Sequence, residues 1–130
     1  MVNRILAREE MTFPASYYEE NPFYIVLLNG EYIRSREAFF KAMETNMKFP
    51  GTCMNKFSRF DDWMKDLSWI SEEMGICIII NNYQKFLSED KTFKENVMSD
   101  FRDDILPFWQ EGVLRYVKGG KQRRFDIVLN

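Results

Sequence analysis

The sequence contains no histidine, and that absence alone excludes several classes of enzyme. A Ser-His-Asp triad, a Cys-His pair, a histidine-ligated zinc site and imidazole acid–base catalysis all require it. Cysteine is scarce too, since Cys53 and Cys77 can form at most one disulfide. The apolar run around Cys77 is typical of a thiol that packs as a small hydrophobe. We therefore expect no disulfide scaffold and no histidine-dependent chemistry.

Long apolar runs and an excess of positive charge are also lacking. Residues 1–20 have no apolar core of the kind found in secretory signals, and no run in the chain is long enough to span a membrane. The 18 basic and 20 acidic residues give a formal net charge of −2, so no overall positive field attracts DNA or an anionic membrane. We expect a cytoplasmic protein that binds neither.

The length of 130 residues and the hydrophobic content of 45% fit a single core. Three β-favouring runs stand out, at residues 23–28 (FYIVLL), 76–80 (ICIII) and 125–129 (FDIVL). The first two are continuous, which is typical of strands buried on both faces. Residues 1–22 show no sustained periodicity. We therefore predict an N-terminal extension or partly docked arm over 1–22 and one domain over 23–130.

Between these runs, apolar residues recur at the three- and four-residue spacing of helices. Ser35 can cap the first helix, and Pro107 must kink or split the last. The apolar faces are Phe39, Phe40, Met43 and Met47 in the first helix, Phe57, Phe60, Met64 and Leu67 in the second, and Phe93, Val97, Met98, Phe101, Ile105, Phe108 and Trp109 in the third. A short helical turn is expected around residues 83–87. This order predicts an α/β fold with a small, mainly parallel three-stranded sheet packed with helices.

The sequence contains few groups that could form a catalytic, nucleotide-binding or metal-binding site. The loop after the first strand has no glycine pattern of a nucleotide site. Carboxylates cluster on or near helices, at Asp61, Asp62 and Asp66 and at Asp103 and Asp104. Such groups can do acid–base work or hold a hard cation, but a solvated helix face is the commoner explanation. No nucleophile with its base and no metal cluster is visible, so an enzyme, including one in which these aspartates hold a metal, is the least favoured class. We expect no catalytic activity, no cofactor and no metal site.

Residues 113–124 carry five basic side chains and no acidic one. Beside Tyr116, this basic segment could contact phosphates, although a solvated loop before the last strand is more common. Trp63 and Trp69 lie beside and beyond the apolar stripe of the second helix, and either could anchor an interface.

The chain resembles the barstar family of ribonuclease inhibitors from about residue 23 to its end. The likeness lies in residues 29–35 (NGEYIRS), Phe49-Pro50, 57–69 (FSRFDDWMKDLSW), the strand ending at Ile80, Tyr83 to Phe86, and 125–129 (FDIVL). The order and spacing of these segments agree with the family. The first 22 residues lie outside the resemblance.

The resemblance implies tight binding of a small secreted ribonuclease, or a related toxin, inside the cell that makes it. In that family the second helix and the preceding loop block the active site, and an aspartate takes the place of a substrate phosphate. By alignment that aspartate is Asp62. Asp61, Asp66, Ser58 and Lys65 would frame it, and Thr52 and Asn55 of the loop would add contacts. Asp62 and Asp66 are expected one helical turn apart on one face. We expect the free protein to be a monomer.

Three departures from the family concern the partner more than the fold. The loop 51–56 (GTCMNK) lacks the usual aromatic and glycine pattern, Gln110 and Glu111 appear in place of the acids of the last helix, and the basic segment 113–124 has no counterpart in compact members. An RNA- or nucleotide-binding protein that uses the basic segment is therefore the alternative. We regard RNA as the less favoured ligand.

Overall fold

The computed structural model describes residues 2–11 and 16–130, and its centre is a parallel four-stranded sheet. The strands are β1 (Arg4–Ala7), β2 (Phe23–Asn29), β3 (Gly75–Asn81) and β4 (Phe125–Leu129), in the order β1-β4-β3-β2. All three pairings are parallel. The α/β class and the parallel sheet are confirmed, but the predicted number of strands is one too low. The additional strand comes from the segment that we expected to be an extension.

β1 is held in place by Asn3, which precedes it and is buried. The Asn3 side chain donates to the carbonyls of Leu106 and Arg123 and accepts from the Phe125 N–H at 2.9 Å. A four-residue strand is too short to show a period in the sequence. β1 could therefore not be predicted from the local sequence, because the buried hydrogen bonds of Asn3 that hold it join residues more than 100 positions apart.

β2 is an edge strand, and the expectation that both of its faces are buried is wrong. Val26 and Leu28 are buried, whereas Ile25 is 37% exposed and Leu27 is 61% exposed. β3 and β4 occupy the centre of the sheet and are buried along most of their length. A continuous apolar run therefore has two outcomes here, and the position of each strand in the sheet decides between them.

In the part of the chain that the structure describes, five α-helices connect and cover the strands: α1 (Ser16–Glu20), α2 (Arg36–Asn46), α3 (Phe57–Met64), α4 (Lys91–Asp100) and α5 (Val113–Tyr116). Short 3₁₀ turns lie at Arg8–Glu10 and Tyr83–Lys85, the second where a helical turn was expected. The Ser35 cap is confirmed, since its hydroxyl accepts the Ala38 N–H at 3.3 Å. Asp90 caps α4 in the same way, through the Phe93 N–H at 3.0 Å. None of the described helices is long and apolar enough to cross a membrane.

Pro107 was predicted to kink or split the last helix, but the helix is not split, and π-helical turns lie on both sides of the proline. α4 continues without interruption through π turns at Phe101–Ile105 and Phe108–Gly112 into α5. Pro107 keeps helical dihedral angles of −63° and −33°. Since proline has no N–H and crowds the preceding turn, a wider turn accommodates it without ending the helix.

The main core lies between one face of the sheet and helices α2, α3 and α4. Phe39 contacts the rings of Phe40, Phe60 and Phe93 edge to face, with centroids 5.1–5.8 Å apart. The predicted apolar residues of α2 are buried, as are Phe60 and Met64 of α3. Of the other two residues predicted for the face of α3, Phe57 is partly buried and Leu67 is buried beyond the end of the helix. A smaller cluster on the opposite sheet face joins Leu6, Tyr18, Cys77 and Val128.

The two cysteines are buried and free. Burial raises the pKa of each thiol to about 12, so both remain protonated and pack as small apolar groups.

Arg123 clamps the segment that follows α3 against the start of β4. It is 4% exposed, and its guanidinium donates to four backbone carbonyls, those of Leu67, Ile70, Ser71 and Met74, at 2.7–3.2 Å. The same guanidinium lies 5.2 Å from the ring centre of Trp109, whose indole N–H donates to the Met64 carbonyl. The end of α3 is thus fixed by a side chain from the basic segment.

We predict that Arg123→Met lowers the free energy of unfolding by about 3 kcal/mol, because it leaves several buried carbonyls without donors. Urea denaturation of both proteins measures the difference. The matched control is Arg115→Met on the exposed side of α5, which we expect to change stability by no more than about 0.5 kcal/mol. Equal effects of the two substitutions would contradict the clamp.

Candidate functional site

The candidate site is the outer surface of α3 together with the loop at residues 51–56. An aromatic cluster holds both in place. Trp63 lies against Phe49 and Trp69, with ring centroids 6.2 and 5.6 Å apart, and the Trp69 indole donates to the Met47 carbonyl at 2.9 Å. The two tryptophans therefore pack on each other and on the end of α2. Their partly buried rings position α3.

The loop before α3 has a fixed conformation. The Cys53 N–H donates to Glu44 of α2 at 2.6 Å, and the Met54 N–H donates to the Thr52 hydroxyl at 2.8 Å. Met54 and Asn55 have φ values of 51° and 54°, in the left-handed region, which asparagine tolerates better than most residues. Thr52 and Asn55 are both exposed.

On α3 itself, Ser58 and Asp62 are exposed and one turn apart. Asp66 is exposed as well, but the predicted helical relation between Asp62 and Asp66 is wrong. α3 ends at Met64, and the Asp66 carboxylate accepts the Ser68 N–H at 3.2 Å in the turn beyond it. Leu67, with a φ of 50°, diverts the backbone so that its own side chain is buried.

Asp61 and Lys65 lie on the inner side of α3, toward α4 and the first π turn. The Lys65 ammonium is 3.1 Å from Asp61 and 2.5 Å from Asp104. Burial lowers the pKa of Lys65, but its hydrogen bonds to Asp104 and Asp61 outweigh that effect, and the net shift is upward. Lys65 thus stays charged and cross-links α3 to the π turn.

Asp100 completes this group, which we call the Lys65 cluster: Asp61, Lys65, Asp100 and Asp104. Carboxylate oxygens of its three aspartates lie within 4.8 Å of one another. Burial, with the hydrogen bond to Asp61 and the charges of Asp61 and Asp104, raises the pKa of Asp100 to about 8. Near pH 7 Asp100 therefore holds a proton that it can share with Asp61. That proton and the charge of Lys65 together compensate two of the three carboxyl groups.

Sequence reasoning missed Asp100, although a signal existed. Asp100 lies seven residues after Phe93 and three after Val97, which places it beside the apolar stripe of α4. A carboxylate in that position must find a partner or a proton, because an isolated buried charge is costly. Asp104 was considered only as one of a pair with Asp103, and its contact with Lys65 depends on how α3 and the π turn pack.

The basic segment is largely occupied by contacts within the chain. Arg123 is buried in its carbonyl clamp, Arg124 binds the buried Asp126 at 3.1 Å, and Lys121 pairs with Glu72 at 2.9 Å. Within residues 2–11 and 16–130, Arg115 and Lys118 are the two cations of this segment with neither an ion pair nor a side-chain hydrogen bond. A continuous phosphate-binding strip is therefore not formed.

We predict that the stability of the protein falls as pH rises from about 4 to about 8. Asp100 has a pKa of about 8 when folded and near its ordinary value of 3.8 when unfolded, so over this interval the folded state holds a proton that the unfolded state does not. The stabilisation is complete below pH 4 and lost as pH approaches 8. Urea denaturation at several pH values measures this loss.

Asp100→Asn should flatten this pH dependence, because the amide cannot ionise. The matched control is Asp103→Asn in the same helical segment, where the carboxylate is 65% exposed and pairs with Arg102. The control should retain the wild-type pH profile. A profile that is unchanged in Asp100→Asn would contradict the assignment.

The chain matches the model of one protein family, described as Barstar (barnase inhibitor), over residues 23–120. Comparisons with curated proteins and with solved structures give no match. The matched region contains β2, α2, the loop 51–56, α3, β3 and the helical segment through α5, and therefore the whole candidate site. β1, α1 and β4 lie outside it. Because the match covers about three-quarters of the chain, the protein belongs to the barstar family.

Proposed function

We propose that this protein is a cytoplasmic inhibitor, of the immunity or antitoxin type, of a small basic ribonuclease. Membership of a family described as barnase inhibitors supports the class of target. The observation that carries the mechanism is the exposed Asp62 on α3, a helix held from behind by the Lys65 cluster and by Trp63. In this proposal Asp62 enters the nuclease active site in place of a substrate phosphate.

The chemistry of the target explains why a carboxylate suits this role. A site that cleaves RNA must hold phosphate with cationic side chains, and a carboxylate can accept the same charge-assisted hydrogen bonds. A helix already fixed in place loses little conformational entropy on binding. Complementary charge also speeds encounter, an effect for which the barnase–barstar complex is itself a standard example.

The other site residues divide into two groups in this proposal. Ser58, Asp66, Thr52 and Asn55 are exposed around Asp62 and would contact the nuclease directly. Asp61 and Lys65 would act through position, because their charges are already engaged with Asp104 and Asp100. Since Lys65 neutralises the carboxylates behind α3, it also limits repulsion within the acidic surface.

We predict that Asp62→Ala slows association with the ribonuclease, speeds its dissociation and weakens the complex at least about 30-fold, or about 2 kcal/mol. Tagged wild-type protein and the variant are each used to capture partners from source cells. The captured proteins are identified by mass spectrometry and assayed for RNA cleavage with and without added inhibitor. Binding kinetics with the purified ribonuclease then give the two rate constants.

Glu37→Ala is the matched control, since it removes an acid from the first turn of a different helix, α2. This variant should bind like the wild type. A captured ribonuclease that binds wild type and Asp62→Ala equally would refute the role of Asp62. Capture of RNA and RNA-associated proteins equally by both forms would refute the inhibitor proposal and favour the basic segment.

A further inference from the structure

β2 presents an open edge whose unpaired backbone groups can be identified from the register. Gly75 donates to the Pro22 carbonyl and Gly30 to the Asn81 carbonyl, so the even-numbered residues of β2 bond to β3. The backbone N–H and C=O groups of the odd-numbered residues therefore point away from β3, toward the open edge. Within the described residues, the Phe23 N–H donates to Asn21, and the Asn29 carbonyl accepts from Tyr32 and Ile33. The remaining open groups are the Phe23 carbonyl, the Asn29 N–H and both groups of Ile25 and Leu27.

The side chains at this edge are apolar and exposed. Leu27 is 61% exposed and Ile25 37% exposed, and they lie on the sheet face that the smaller apolar cluster around Tyr18 and Cys77 covers only in part. Leu27 also lines an open groove of about 210 Å³ with Met11, Ile79 and Val128. Charged residues and proline usually protect a sheet edge from pairing with another strand. β2 has neither, and it has no glycine.

The opposite edge of the sheet is protected. β1 is four residues long, carries Arg4 and runs directly into the 3₁₀ turn at Arg8–Glu10. Short length and charge are two of the means by which natural sheets block edge pairing. The two edges of one sheet therefore differ, and only β2 is built as a strand that can accept another.

We propose that β2 pairs with β2 of a second copy of this chain, antiparallel, about a two-fold axis at Val26. Under that axis Ile25 faces Leu27 of the other copy, and Asn29 faces Phe23. The open Asn29 N–H of one copy then meets the open Phe23 carbonyl of the other. The Phe23 N–H and the Asn29 carbonyl, which are already hydrogen-bonded within their own chain, face each other. The open groups form a self-complementary set of donors and acceptors, which gives about six hydrogen bonds across the axis.

This dimer replaces the monomer expected from the family resemblance, and it is independent of the proposed function. The pairing places Leu27 of each copy beside Ile25 of the other and removes both from water. A contact confined to one strand is smaller than the roughly 1,200 Å² of a standard stable interface. We therefore expect a weak dimer that is populated at high protein concentration.

Sedimentation velocity of the full chain, from about 10 μM to about 1 mM, tests the dimer. The expected result is a reversible monomer–dimer equilibrium. Amide hydrogen exchange locates the contact: Ile25, Leu27 and Asn29 should gain protection with concentration, whereas Val26 and Leu28 should be protected throughout by their bonds to β3. A chain that stays monomeric over this range, or a dimer without protection at these three amides, would overturn the proposal.

Leu27→Lys places a charge on the open edge and should weaken the dimer at least about tenfold, since two lysines then lie near the axis. Leu114→Lys is the matched control, because Leu114 is similarly exposed, at 56%, but lies on α5. It should dimerise like the wild type. The reverse pattern would assign the dimer to α5 and overturn the pairing of β2, and the exchange of the wild-type amides decides the matter even where a variant does not fold.

Discussion

The Lys65 ammonium lies between the carboxylates of Asp61 and Asp104, where α3 meets the first π turn. Two helices that each carry acids toward the other would repel without it. Asp100 adds a third carboxyl at the same place, and burial, with the hydrogen bond to Asp61 and the charges of Asp61 and Asp104, raises its pKa. The position of α3, and with it the exposure of Asp62, depends on this balance of one cation and one proton.

The helix that contains Asp100 and Asp104 owes its form to Pro107. If the helix ended at the proline, the apolar residues after it would not be held against the core by the same helix. The π turns keep the chain helical from α4 to α5, so that Trp109 reaches the end of α3 and Val113 is buried. Arg123 then returns from the basic segment to cover the carbonyls beyond α3. The C-terminal end of α3 is thus fixed by two residues remote from it in sequence.

Residues before β2 have a larger part in the fold than their sequence suggests. β1 adds a protected edge next to β4, and Tyr18 of α1 donates a hydrogen bond to the buried Asp126 at 3.0 Å. Tyr18 also packs against Phe23 at the start of β2, with ring centroids 4.9 Å apart, whereas Ile25 and Leu27 farther along β2 stay exposed. The family match begins at residue 23, so the features that distinguish the two sheet edges include a strand that lies outside it.

Local sequence patterns were enough to predict the three longer strands, most of the apolar faces of α2 and α3, and the Ser35 cap, because each depends on residues close together in the chain. They did not predict that the helix would continue through Pro107. The sequence also contained the motifs of the barstar family, and hence a reason to consider Asp62. Tertiary contacts were needed to show that Arg4–Ala7 is a strand, that β2 is exposed on one face, that Asp66 lies beyond the end of α3, and that Asp100 and Arg123 are structural groups. Burial, hydrogen bonding and charge at these positions are set by neighbours tens of residues away, and no local pattern contains them.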